Sequence, residues 1–201
     1  MPKLYDYLSS GNGYKVRLLL HQLDISYERI ELDILHGASR TPEFLAKNPN
    51  GKIPTLELDS GEILSESDAI LYYLADGTPF LPDDRLDRAR VLQWMFFEQY
   101  SHEPAIAVAR SILMHEDEAG PRRALLPELE ERGYRALDVM EGHLTGRTFF
   151  VGESYTVADI ALYAYTHVAD EGGFTLDGVP AIRAWLDRVA AQPGHIPITQ
   201  G

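Results

Sequence analysis

The sequence contains no cysteine. That absence excludes a disulfide framework, a cysteine-ligated zinc site and a cysteine nucleophile on the protein. Positive charge is also scarce. Eighteen Lys and Arg stand against 31 Asp and Glu, a formal charge of −13. Neither nucleic acid nor an anionic membrane surface is therefore expected as the main partner. Lysine stops at Lys52, and every later basic residue is arginine. No apolar run approaches the roughly 20 residues of a membrane span. The opening Met1-Pro2-Lys3-Leu4-Tyr5-Asp6 lacks a secretory pattern, and a cytoplasmic location is expected. What is present is an ordinary globular mixture: 201 residues, 45 % of them hydrophobic. A chain of that size can bury a core without staples, in one domain or two small ones.

The two halves differ in texture. Lys3–Leu8 reads as a strand ended by the turn cluster Ser9–Gly13, and Val16, Leu19, Leu20 and Leu23 follow at helical spacing. Tyr27–Leu32 reads as a second strand, with a short helix near Pro42–Ala46. Thr55–Leu58 and Ile63–Leu64 flank Asp59-Ser60-Gly61-Glu62 as a hairpin. Ser65-x-x-Asp68 then has the form of a capping box opening a helix that carries Ile70, Leu71 and Leu74. The order β-α-β-(α)-β-β-α predicts a parallel pair extended by a hairpin and covered by helices. Gly77–Pro82 reads as a linker. Beyond it the pattern is helical: Leu86–Ser101 and Pro104–Leu113 as one helix kinked at Pro104, then Pro127–His143, Thr156–Asp170 and Pro180–Gln192. Thr156-Val157-Ala158-Asp159 is a capping box, which accounts for Asp159 as a helix initiator rather than a catalytic acid.

Asn48-Pro49-Asn50-Gly51-Lys52-Ile53-Pro54-Thr55-Leu56, followed by Leu64–Ile70 and Tyr73-Leu74, resembles the cytosolic glutathione transferase superfamily. The stretch from Gly152 to Asp159 resembles that family's second-domain folding signal, and the likeness covers nearly the whole chain. It implies an α/β thioredoxin-like N-terminal domain over residues 1–77 and an all-α helical-bundle domain over 84–201. It also implies a homodimer, with glutathione as co-substrate and a small electrophilic or disulfide substrate.

By that resemblance Ile53-Pro54 is a cis-proline step that presents the Ile53 backbone to the cysteinyl part of glutathione. Glu66 and Ser67, at a helix start that favours an anion, would hold the γ-glutamyl end. Lys52 would support the glycyl carboxylate or the backbone nearby, and Ser39 and Arg40 fall where the family often contacts the glycyl end. The stretch Ser9–Val16 resembles the Ser/Asn-type bacterial members. Ser10 would donate to the thiolate and Asn12 would add its amide, with Ser9, Tyr7 and Tyr5 as competitors for that role. As turn and cap residues alone, Ser10 and Asn12 need no chemistry. In the second half Tyr100 and His102 are candidates for the second-substrate pocket. His102 has no second histidine or carboxylate at ligand spacing, so no metal site is expected. Three functions follow: conjugation or disulfide reduction by glutathione thiolate, a non-enzymatic binding module of the same fold, and a glutathione-dependent isomerase. The last is disfavoured because Ser9-Ser10 is followed by Gly11-Asn12-Gly13 rather than a cysteine-containing motif.

Overall fold

A computed structural model describes residues 1–201. The chain divides into two compact units, Met1–Asp76 with Pro193–Gly201, and Gly77–Gln192.

The first unit is built on β1 (Lys3–Asp6), α1 (Gly11–Gln22), β2 (Glu28–Glu31), α2 (Pro42–Lys47), β3 (Thr55–Glu57), β4 (Ile63–Ser65) and α3 (Ser67–Ala75). The sheet order is β2-β1-β3-β4. β1 and β2 run parallel, and β3 and β4 are antiparallel, as the element order predicts. The core follows from the apolar pattern: Leu4 of β1, Val16 and Leu20 of α1, Leu56 of β3 and Ile70 of α3 form one buried cluster. Burying five such side chains contributes on the order of 10 kcal/mol before the entropy of ordering the chain is subtracted. The hairpin closes where the turn residues stand, with Leu58 N–H on the Glu62 carbonyl at 2.8 Å.

Two local expectations change. Ser65 ends β4 and caps nothing. The N-cap of α3 is Glu66, at φ 68°, ψ 116°, with no side-chain cap bond. Strand pairing of Ser65 with Thr55 outcompetes the cap. The last nine residues, which the expected helical domain over 84–201 included, group instead with the first unit.

The second unit contains α4 (Arg85–Phe97), α5 (Glu103–His115), α6 (Leu126–Leu144), α7 (Val157–Thr166) and α8 (Pro180–Ala190). The expected kink is a π-helical turn over Glu98–His102, joining α4 to α5 just before Pro104. Proline has no N–H to continue the i→i−4 ladder, and a wider turn absorbs the defect. α7 ends at Thr166 rather than Asp170, and Ala169–Gly172 forms a separate 3₁₀ turn.

The Thr156–Asp159 box is formed, and Asp159 does more than cap. Its buried carboxylate accepts from Thr156 N–H at 2.9 Å, Phe150 N–H at 3.1 Å and Trp185 Nε1–H at 2.9 Å. One side chain thus ties the start of α7 to the preceding loop and to α8. Around it Trp94, Phe150 and Trp185 pack as tilted and edge-on rings.

Candidate active site

Register brings the site together. Tyr5 pairs with Thr55, and Thr55 pairs with Ser65. The residues after β1, before β3 and after β4 therefore emerge at one end of the sheet. Those are the Ser9–Asn12 turn, Lys52–Pro54 and Glu66–Asp68.

The first of these is a helix start. Ser10 is the N-cap of α1, and its hydroxyl oxygen accepts from Gly13 N–H at 3.2 Å. Capping uses a lone pair, so the hydroxyl proton remains the group that a thiolate would accept; the two readings of Ser10 are compatible. Gly13 is fixed by packing, since a Cβ there would lie 1.6 Å from Asp6 Oδ1. The buried Asp6 carboxyl sits beneath this turn. Burial pushes it up to about 6, with the Arg17 guanidinium opposing. Of the competitors, Tyr5 has its hydroxyl on Glu57 Oε2 at 2.9 Å.

Ile53–Pro54 is cis, as expected. Buried Asn48 organises the loop before it. Its Nδ2 donates to the Lys52 carbonyl at 2.8 Å and to Thr55 Oγ1 at 3.1 Å, while its Oδ1 accepts from Asn50 N–H at 3.1 Å. Arg40 Nη1 donates to the Asn50 carbonyl at 2.9 Å. It lies so close over Gly51, at φ +62°, that a Cβ there would meet the guanidinium at 2.5 Å. Ser39 is buried under this turn, whereas Arg40 and Lys52 are exposed. Ser39 therefore shapes the loop, and the two cations supply local positive charge in an acidic chain.

At the start of α3, Glu66 is exposed and holds a φ that side-chain-bearing residues rarely adopt. Ser67 is buried and bridges two elements. Its hydroxyl donates to Asn12 Oδ1 at 3.3 Å and accepts from Lys15 Nζ at 3.2 Å. Lys15 Nζ also donates to Asp68 Oδ1 at 3.2 Å. Lys15 is fully buried and was not among the residues expected from the sequence. A lysine beside Tyr14 and Val16 in an almost wholly buried helix turn was the available signal. The network Asn12–Ser67–Lys15–Asp68 joins the proposed thiol-activating turn to the proposed carboxylate-binding helix start. It places one compensated cation beneath an N-terminus whose N–H groups already favour an anion.

The second unit treats its two candidates differently. His102 is fully buried in the π turn, with Nε2 at 2.9 Å from Thr166 Oγ1. Tyr100 is 84 % exposed and borders an open hollow of about 590 Å³ lined by Phe97, Ser101, Pro104, Ala136 and Val139 among others. No group of three or more His, Asp or Glu is disposed to hold a metal.

The glutathione S-transferase N-terminal domain model matches residues 2–76, and the C-terminal domain model matches 101–193. The chain belongs to the glutathione S-transferase family. A glutathione S-transferase from Pseudomonas fluorescens Pf-5 shares 55 % identity with this family member, covering 99 % of each chain at a TM-score of 0.96. Disulfide-bond oxidoreductase YfcG of Escherichia coli K12 is 33 % identical over 193 residues, 90 % of this transferase and 87 % of its own length. A second family member from Pseudomonas fluorescens Pf-5, solved with two glutathione molecules bound, is 28 % identical at a TM-score of 0.83, covering 96 % of this chain and 89 % of that one. The thioredoxin-like and helical halves of this transferase are those of the family.

Proposed function

We propose that the chain binds glutathione in its first unit, holds it as thiolate with Ser10 and Asn12, and directs the sulfur at a hydrophobic electrophile or a disulfide. Glu66 accepts from the γ-glutamyl amine. Ser67, the α3 N-terminus and the Lys15 charge receive its carboxylate. The Ile53 backbone pairs with the cysteinyl residue, and Lys52 with Arg40 faces the glycyl carboxylate. The observation that carries this reading is the Asn12–Ser67–Lys15 network, because it couples activation of the thiol to anchoring of the ligand.

Acidity alone supplies little rate. Lowering a thiol from a pKa of about 8.5 to about 6.5 raises its thiolate at pH 7 from roughly 3 % to roughly 75 %. The accompanying loss of nucleophilicity, roughly tenfold, leaves a gain of only a few-fold. Positioning of the second substrate beside the sulfur supplies the larger part. Disulfide reduction is the second reading. It is favoured by the absence of cysteine, by the activity named for YfcG and by the relative with two glutathiones. Both thiols exchanged would then be glutathione's: two glutathione thiols are oxidised to one disulfide while the substrate disulfide becomes two thiols. We further propose that the protein works as a cytoplasmic homodimer.

Retention on immobilised glutathione, followed by turnover of a chlorinated aromatic and of hydroxyethyl disulfide, tests the assignment. Loss of a hydrogen bond to a charged sulfur, worth about 1.5–3 kcal/mol, makes Ser10→Ala lower kcat/KM by at least about tenfold. A chain that does not bind glutathione refutes the enzyme reading. Full activity in Ser10→Ala with none in Asn12→Ala transfers the activating role to Asn12.

A further inference from the structure

We propose that Pro193–Gly201 is a strap that positions the thiol-activating turn, acting through Arg17 and never touching glutathione. The inference rests on the assignment of thiol activation to the Ser10 turn. Arg17 is fully buried in α1, and its fork reaches in three directions. Nε donates to Asp6 Oδ2 at 2.8 Å. Nη2 donates to the Leu8 carbonyl at 2.6 Å, two residues before Ser10. Nη1 donates to the carbonyls of Ile198, at 3.0 Å, and Gln200. One turn earlier in α1, the Tyr14 hydroxyl donates to the Ile196 carbonyl at 2.7 Å. Two side chains three residues apart on one helix face thus grip alternate carbonyls of the strap.

The strap supplies acceptors that nothing else on the chain supplies to Nη1 in this arrangement. Without them a buried guanidinium keeps donors that burial makes costly to leave unmade. Arg17 then turns toward water and releases the Leu8 carbonyl. The Ser9–Ser10 turn loses one of the bonds that set its geometry, beside Ser10 N–H to the Tyr7 carbonyl at 2.8 Å and Leu8 N–H to Glu31 Oε1 at 3.1 Å. The anchoring bonds of Lys15 and Ser67 join α1 to the start of α3, and ligand anchoring is expected to be retained. A displacement of about 1 Å between a reacting atom and its partner costs up to about a hundredfold in rate. Arg17 reads the strap through backbone carbonyls, and the Tyr14 hydroxyl adds one side-chain contact, 3.3 Å from His195 Nε2.

The test compares the full chain with a chain ended at Gln192 and with Arg17→Lys, which keeps a cation for Asp6 but loses the fork. Readouts are the ultraviolet thiolate absorbance of bound glutathione against pH, and kcat and KM separately. We expect KM for glutathione within about threefold of the full chain, a thiolate midpoint shifted to higher pH, and kcat lower by about ten- to a hundredfold. A truncated chain that fails to fold leaves Arg17→Lys, checked by circular dichroism, to decide. An unchanged thiolate profile and kcat in a folded variant overturn the proposal, since a merely structural strap would lower only the melting temperature. Absence of the thiolate band in the full chain with glutathione bound overturns the activation reading itself, and the proposal with it.

Discussion

Lys15→Met raises the KM for glutathione by about 10- to 100-fold in the expected outcome, with a smaller effect on kcat. Charge-assisted hydrogen bonds contribute about 1.5–3 kcal/mol, which corresponds to that range. The loss has two parts. Ser67 loses the donor that fixes its hydroxyl toward Asn12. Asp68 loses its ion-pair partner, and with only 12 % of its side chain exposed it stays close to the proposed carboxylate site as an uncompensated negative charge. Methionine fills a similar volume, so the packing of α1 on α3 is kept. Lys15→Arg is expected to recover part of the affinity if charge is what matters. Initial-rate kinetics over a glutathione titration measure the effect. An unchanged KM in Lys15→Met would reduce the lysine to a packing residue.

Asp159→Ala produces the largest expected loss of stability, about 4 kcal/mol and roughly 10 °C in Tm. The carboxylate satisfies the Thr156 and Phe150 N–H groups and the Trp185 indole N–H in a fully buried place, and alanine leaves all three without an acceptor. Urea unfolding followed by tryptophan fluorescence reads the loss near Trp185 directly. The pH dependence has a defined sign. Burial pushes the Asp159 carboxyl up to about 6 from its ordinary 3.8, and the donors around it oppose that shift. The folded state therefore binds this proton more tightly than the unfolded chain does. The contribution is full below about pH 4 and is lost as pH rises through about 6. The stability gap between the native chain and Asp159→Asn is thus expected to be wider at about pH 4 than at about pH 7. A gap that widens with rising pH would contradict the burial effect.

The readable parts of the sequence were those governed by local rules. The Asp59–Glu62 turn closes its hairpin because a turn cluster between two apolar runs has few alternatives. Thr156 and Asp159 cap α7 because both partners of a capping box lie within one helical turn. Ser65-x-x-Asp68 has the same appearance and fails, because Ser65 is drawn into the ladder with Thr55 and leaves Glu66 at the helix entry. Local pattern cannot rank a cap against a strand pairing that depends on a residue ten positions away. Pro104 predicted an irregular helix from its missing N–H, but the chain could resolve that as a bend or as the wider turn it adopts.

Cysteine was absent from the start, and that alone determined that the reactive sulfur of a glutathione-dependent enzyme must come from its ligand. Element order and periodicity likewise indicated the two-part architecture, and the resemblance to the family pointed to the Ser10, Ile53–Pro54 and Glu66–Ser67 stretches. Tertiary structure decided which remote residues these stretches meet. Lys15 meets Ser67 and Asp68 across more than fifty residues of chain, and Arg17 joins Asp6 and Leu8 to Ile198 and Gln200. Both are buried cations whose acceptors are remote in sequence. Periodicity marks such positions only as interior, and the partner that makes burial of a charge tolerable is supplied by the fold.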